Sequence, residues 1–145
     1  MRGEESLPCC LADRASSGPG LPRGRIDDEE GARVPDDLPP LVDAHVHVFP
    51  DRLFDAVWRW FDEFGWPVRY KLYADDVVAH LKARGVRDLV LLHYAHKPGI
   101  ARGMNAVVAE LARRHGVVGV ATVFPGEPEQ EQILAEGFAL GLRGV

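Results

Sequence analysis

Cysteine is nearly absent from this sequence: Cys9 and Cys10 are the only two, and they are adjacent. Neighbouring cysteines cannot staple distant parts of a chain, so no disulfide framework can be built, and a reducing compartment fits. Long apolar runs are missing too. No stretch approaches the roughly 20 consecutive apolar residues of a membrane span. The amino terminus carries early acids and no apolar core of a secretory signal. A cytoplasmic protein with no membrane partner is therefore expected. Positive charge is not in surplus: the formal net charge is −5, with Lys and Arg totalling 17 against 22 Asp and Glu. Without a basic stripe, nucleic acid is a poor candidate partner. No glycine-rich phosphate loop or serine elbow appears.

What is present divides unevenly. Residues 1–40 hold 5 basic and 9 acidic side chains, whereas residues 41–145 hold 12 and 13. Residues 1–38 contain 5 of the 15 glycines, and 6 of the 11 prolines fall by Pro40. Their few apolar residues follow neither a helical nor a strand period. Such a segment cannot bury enough surface to offset its ordering entropy, so residues 1–38 are read as a disordered tail, with an over-extended translation start as the equal alternative. Residues 39–145 form the domain.

Four helices are expected there. "DRLFDAVWRWFDEFG" starts at an Asp51 cap and spaces Phe54, Val57, Trp58, Phe61 and Phe64 near helical period. "DDVVAHLKARG" has acids at its start and Gly85 as its stop. "RGMNAVVAELARRHG" sets Met104, Val107, Val108 and Leu111 on one face, and "GEPEQEQILAEGFALG" does so with Ile133, Leu134 and Phe138. Between them, residues 86–93 and 117–124 read as strands too apolar to be half exposed, and "LRGV" opens another. Strands alternating with helices argue for βαβ units and a parallel sheet.

The chemistry is concentrated in "LVDAHVHVFPD", residues 41–51. On a strand, alternate side chains share a face, so Asp43, His45 and His47 line up together. Three ionisable groups on one face of a buried strand need a hydrogen-bond network or a metal ion. Imidazoles about 6.5–7 Å apart at their Cβ atoms can tilt inward to one cation. Asp43, one step deeper, is better placed to orient an imidazole than to bind metal. A satisfied polar cluster is the plain alternative; it explains the burial but not why two histidines share a face. His93 and Tyr94 end the second strand and His96 follows, so these three are expected at the carboxyl end of the sheet, as substrate contacts or, alternatively, as part of a polar loop that simply covers the sheet edge.

"VDAHVHVF" resembles the Asp-x-His-x-His signature that ends strand 1 in the metal-dependent amidohydrolase superfamily. "GVRDLVLL", "GVVGVATVFPGEP" and "GLRGV" are similar to the second, third and fourth strands of its amidohydrolase-related branch, so the resemblance covers about residues 39–145. It implies the amino-terminal portion, about strands 1–4, of a TIM-like (β/α)8 metal-dependent hydrolase barrel. It also implies a mono- or binuclear divalent-metal centre, zinc first and Mn2+ or Fe2+ as substitutes, with His45 and His47 as the strand-1 ligands. The activity implied is attack of a metal-activated water on a small organic molecule; the branch also includes decarboxylases and hydratases. The family's other ligands lie on strands 5, 6 and 8, so the catalytic residues are expected on strands this chain does not contain. A complete barrel needs about 250 residues, against roughly 107 after the tail. A fragment without turnover is expected. The alternatives are a polymerase-and-histidinol-phosphatase-type (PHP) phosphoesterase, a TatD-type nuclease, and a non-catalytic half-barrel that assembles with another chain. Homo-oligomerisation stays open.

Overall fold

The computed structural model describes residues 33–145, and the greater part of the tail, residues 1–32, lies outside the described residues. The described chain is mixed α/β: β1 (Leu41–His47), α1 (Asp51–Phe64), α2 (Ala74–Ala83), β2 (Val86–Leu92), α3 (Ala101–His115), β3 (Val118–Gly119) and α4 (Gln130–Ala139). The three strands form one parallel sheet in the order β1-β2-β3. Residues 142–145 continue it without becoming a regular strand: Arg143 N–H donates to Gly119 C=O at 2.9 Å, and Ala121 N–H to Gly144 C=O at 2.7 Å. Each segment thus lies beside the one before it in sequence.

One face of the sheet is covered. Val46 and Val48 from the first strand region and Leu89 and Leu91 from β2 are buried against Val78 of α2 and Val108, Leu111 and Ala112 of α3. Burying each such side chain contributes roughly 1.5–3 kcal/mol, so this cluster carries the fold. The alternate residues face the other way. Val90 and Leu92 are only half buried, Leu41 is 42% exposed and Val118 41%. The expectation that the strands would be buried on both faces therefore holds for one face among the described residues.

Helix ends follow their local chemistry. Gly116 adopts the left-handed conformation (φ 63°, ψ 40°) that closes α3, and Val117 N–H reaches back to Ala112 C=O. Arg113, Arg114 and His115 crowd that end, where the helix dipole favours cations. Two expectations need correcting. Pro50, not Asp51, occupies the cap position of α1, with Asp51 in its first turn and no side-chain cap bond. The predicted third strand, 117–124, is regular only at Val118–Gly119. Beyond Gly119 it bonds irregularly, through Val120 N–H to Leu91 C=O and Ala121 N–H to Gly144 C=O.

The first helix differs most from its predicted face. Phe54 and Trp58 are buried with Phe49 and Met104, but Phe64 is 66% exposed. Tyr73 donates to Asp55 at 2.8 Å and Lys71 pairs with Asp62, which ties the return segment 65–73 back along α1. Residue Val34, placed in the tail by composition, donates its N–H to Arg84 C=O at 2.8 Å and lies against Gly85.

Candidate metal centre on the first strand

His45 and His47 leave β1 on its open face, at the carboxyl end of the strand. Their Nε2 atoms stand 3.1 Å apart, and the rings meet edge to face with centroids 4.8 Å apart. Two nitrogens sharing a tetrahedral cation at about 2.0–2.1 Å would lie about 3.3–3.4 Å from each other. The observed pair is within a few tenths of an ångström of that. The β1–β2 ladder slips between Asp43 and Val46, and His45 lies in this irregularity. A bulge re-aims a side chain, which is how residues two apart on a strand come to present their ring tips to each other.

The surroundings favour a neutral imidazole at His47. Partial burial, and then the neighbouring His45, hold His47 below the usual histidine range. The His47 ring lies parallel to Phe49 (5.9 Å, 9°), and Tyr94 stands edge-on to it at 5.8 Å. Tyr94 is itself edge-on to Phe49 and remains 49% exposed, so it forms an open aromatic wall beside the pair. Asp43 does not touch an imidazole. Its Oδ1 accepts the backbone N–H of His45 at 3.0 Å, fixing the backbone from which that ring hangs.

The residues after β2 separate. Tyr94 joins the histidine pair, His96 is exposed, and His93 turns to the helix-covered side, where it is 5% exposed. Strand alternation explains this: His93 follows Leu89 and Leu91 on the buried face. There it meets a polar group that sequence reading missed. Asn105 Oδ1 accepts from Thr122 N–H at 2.8 Å, Asn105 Nδ2 donates to Thr122 C=O at 3.0 Å, and His93 Nε2 lies 3.1 Å from the same Oδ1. The two backbone bonds fix the amide orientation, so Nε2 of His93 carries the proton. Thr122 Oγ1 accepts Ala95 N–H at 3.2 Å and completes the tie between the second and third strand ends. Burial, opposed by the Asn105 bond and aided by His47, brings the His93 pKa down to about 4. The signal for this network was Asn105 itself, a polar residue amid the apolar face of α3.

A second missed residue is Glu127. Its side chain is buried and accepts Gly99 N–H and Phe124 N–H, each at 2.9 Å, joining the loops after β2 and after β3. These bonds hold its carboxyl below the ordinary glutamate range. A concavity of about 600 Å3 lies elsewhere, at the amino end of the sheet beside Asp88, Gly116 and Gly141. It brings no convergent ionisable cluster to the histidines.

Among the described residues no group of three or more His, Cys, Asp or Glu side chains is placed to hold a metal. The pair offers two donors of the right type and spacing, and a complete coordination sphere needs more. No described helix is long and apolar enough to cross a membrane. Comparison with known protein families, curated proteins and solved structures gives no match.

Proposed function

We propose that this chain forms one wall of a (β/α)8 metal-dependent hydrolase barrel of the amidohydrolase type, in which His45 and His47 hold a divalent cation, zinc foremost. The observation that carries the reading is the 3.1 Å approach of the two Nε2 atoms at the carboxyl end of the first parallel strand. Active sites of (β/α)8 enzymes form at that end. The sequential, parallel order of β1, β2, β3 and the 142–145 segment supports the barrel geometry.

When bound, the cation would polarise a substrate oxygen or lower the pKa of a bound water for attack on a small organic molecule. The chain's own residues do the rest. Asp43 pins the His45 backbone, Phe49 and Tyr94 fence the His47 ring, and the depressed basicity of His47 keeps a lone pair available near neutrality. Tyr94, half exposed with its ring edge-on to His47, would offer a hydroxyl to an incoming molecule.

A cobalt(II) titration of the full chain, followed by its visible absorption bands, tests the reading. A band in the wild type that is lost in both His45→Ala and His47→Ala supports it. Equal cobalt uptake by all three proteins rejects the two histidines as ligands.

A further inference from the structure

Tyr94 stands beside the histidine pair without being held there by burial. Its ring is edge-on to His47 at 5.8 Å and to Phe49 at 5.2 Å, yet it is 49% exposed. The regular pairing of β2 ends at Leu92, where Val48 N–H donates to Leu92 C=O at 2.9 Å. Tyr94 lies past that bond, so the sheet ladder does not fix its backbone. Its two neighbours are fixed instead. On one side, the His93 ring is buried and its Nε2–H donates to Asn105 Oδ1 at 3.1 Å. On the other, Ala95 N–H donates to Thr122 Oγ1 at 3.2 Å. Two further bonds lock Asn105 and Thr122 together: Thr122 N–H to Asn105 Oδ1 at 2.8 Å, and Asn105 Nδ2 to Thr122 C=O at 3.0 Å. All three polar side chains are buried, where water competes least for such bonds.

We infer that Asn105 is a positioning residue for the candidate site: acting through His93 and Thr122, it clamps residues 93 and 95 so that the intervening Tyr94 is presented to His47. The geometry rests on the hydrogen bonds alone; its consequence for a cation rests on the metal reading proposed above. Successive side chains of an extended chain leave on opposite sides, so His93 held beneath α3 directs Tyr94 to the side of the histidine pair. Asn105 is suited to this because α3 is itself anchored, with Met104 and Val108 buried in the core on either side of it. A carboxamide carried on a packed helix holds its partners more closely than one on a loop would. Tyr94 and Phe49 then fence the His47 ring at the tilt that brings its Nε2 to within 3.1 Å of its counterpart on His45.

Proton NMR of the full 145-residue chain reads this geometry without metal. The wild type should show a nuclear Overhauser peak between the ring protons of Tyr94 and His47. Asn105→Ala should erase it. So should Thr122→Val, which removes the hydroxyl bond to Ala95 while sparing the backbone groups that Asn105 holds. Val78→Ala, a truncation of the core on the α2 side, should lower stability and keep the peak. A wild type without the peak overturns the inference, as does a peak that survives in Thr122→Val or in a folded Asn105→Ala. A peak lost from Val78→Ala as well marks general loosening and also overturns it. Cobalt titration reads the consequence. Asn105→Ala and Tyr94→Leu should each weaken binding about tenfold. Their double variant should bind no worse than either alone, because one acts through the other. Additive losses, or wild-type affinity in Asn105→Ala, overturn the inference. Cobalt uptake that ignores His45 and His47 removes the metal reading alone, and the NMR result then decides the positioning.

Discussion

Asn105 does more for this fold than its exposed surface suggests. Its carboxamide satisfies both backbone groups of Thr122 and the ring N–H of His93, all in the protein interior. Asn105→Ala would leave these three groups unpaired, and a buried orphan costs about 1–3 kcal/mol. With water reaching some of them, a net loss of about 2–3 kcal/mol in urea unfolding is expected. A loss below about 0.5 kcal/mol would show the network to be dispensable. His93 adds a pH dependence. Its pKa falls from 6.5 in the unfolded chain to about 4 in the fold, so between those values the unfolded state binds more protons. Its stability contribution is full above about pH 6.5 and is lost progressively as pH drops towards 4. The stability difference between wild type and His93→Gln should therefore shrink from pH 7 to pH 5; a pH-independent difference would remove His93 as the source. At this scale the sequence was legible in part. Alternation placed His45 and His47 together, but it could not show that His93 takes the buried side while Tyr94 takes the open one, because the phase of β2 depends on which face its helices cover.

Helix periodicity located all four helices, since each buries a face whose spacing is local. Strand character was harder to read. Residues 117–124 are apolar enough for a full strand, yet regular pairing stops after Gly119, where the chain must pass beneath α3. A Cβ at Gly119 would lie 2.8 Å from Leu142 Cδ2 and 3.1 Å from both Ala112 Cβ and Val108 Cγ1. Leu142 can swing aside; the helix positions cannot easily do so. Gly119→Ala is expected to cost about 1–3 kcal/mol through overpacking, measured as a lowered urea midpoint with an unchanged slope. A neutral outcome would mean that α3 and the 142–145 segment yield more readily than their packing implies. Across the carboxyl end, Glu127 and the Asn105 network are two separate ties between the same neighbouring loops. Glu127 could not be read from spacing, because a buried carboxylate serving two backbone donors leaves no periodic trace. The first helix differs for a related reason: Phe64, spaced with Phe54 and Trp58, is 66% exposed, and helical spacing cannot tell a covered stripe from a bare one.

At the scale of the whole fold, the described residues pack helices on one face of the parallel sheet, whereas parallel sheets are ordinarily covered on both. The other face is the one that bears the two histidines. The sequence carried the parallel α/β order and the histidine pair, since both rest on local spacing. It did not carry what lies opposite the pair, which is decided by partners in space. The central claim is that His45 and His47 converge on one divalent cation. X-ray absorption at the zinc edge on the zinc-loaded chain tests it most directly. Zinc bound through imidazole nitrogens at about 2.0–2.1 Å, with two of those nitrogens lost in the His45→Ala/His47→Ala double variant, is the expected result. Zinc absent from the wild type, or a spectrum the double variant leaves unchanged, would contradict it.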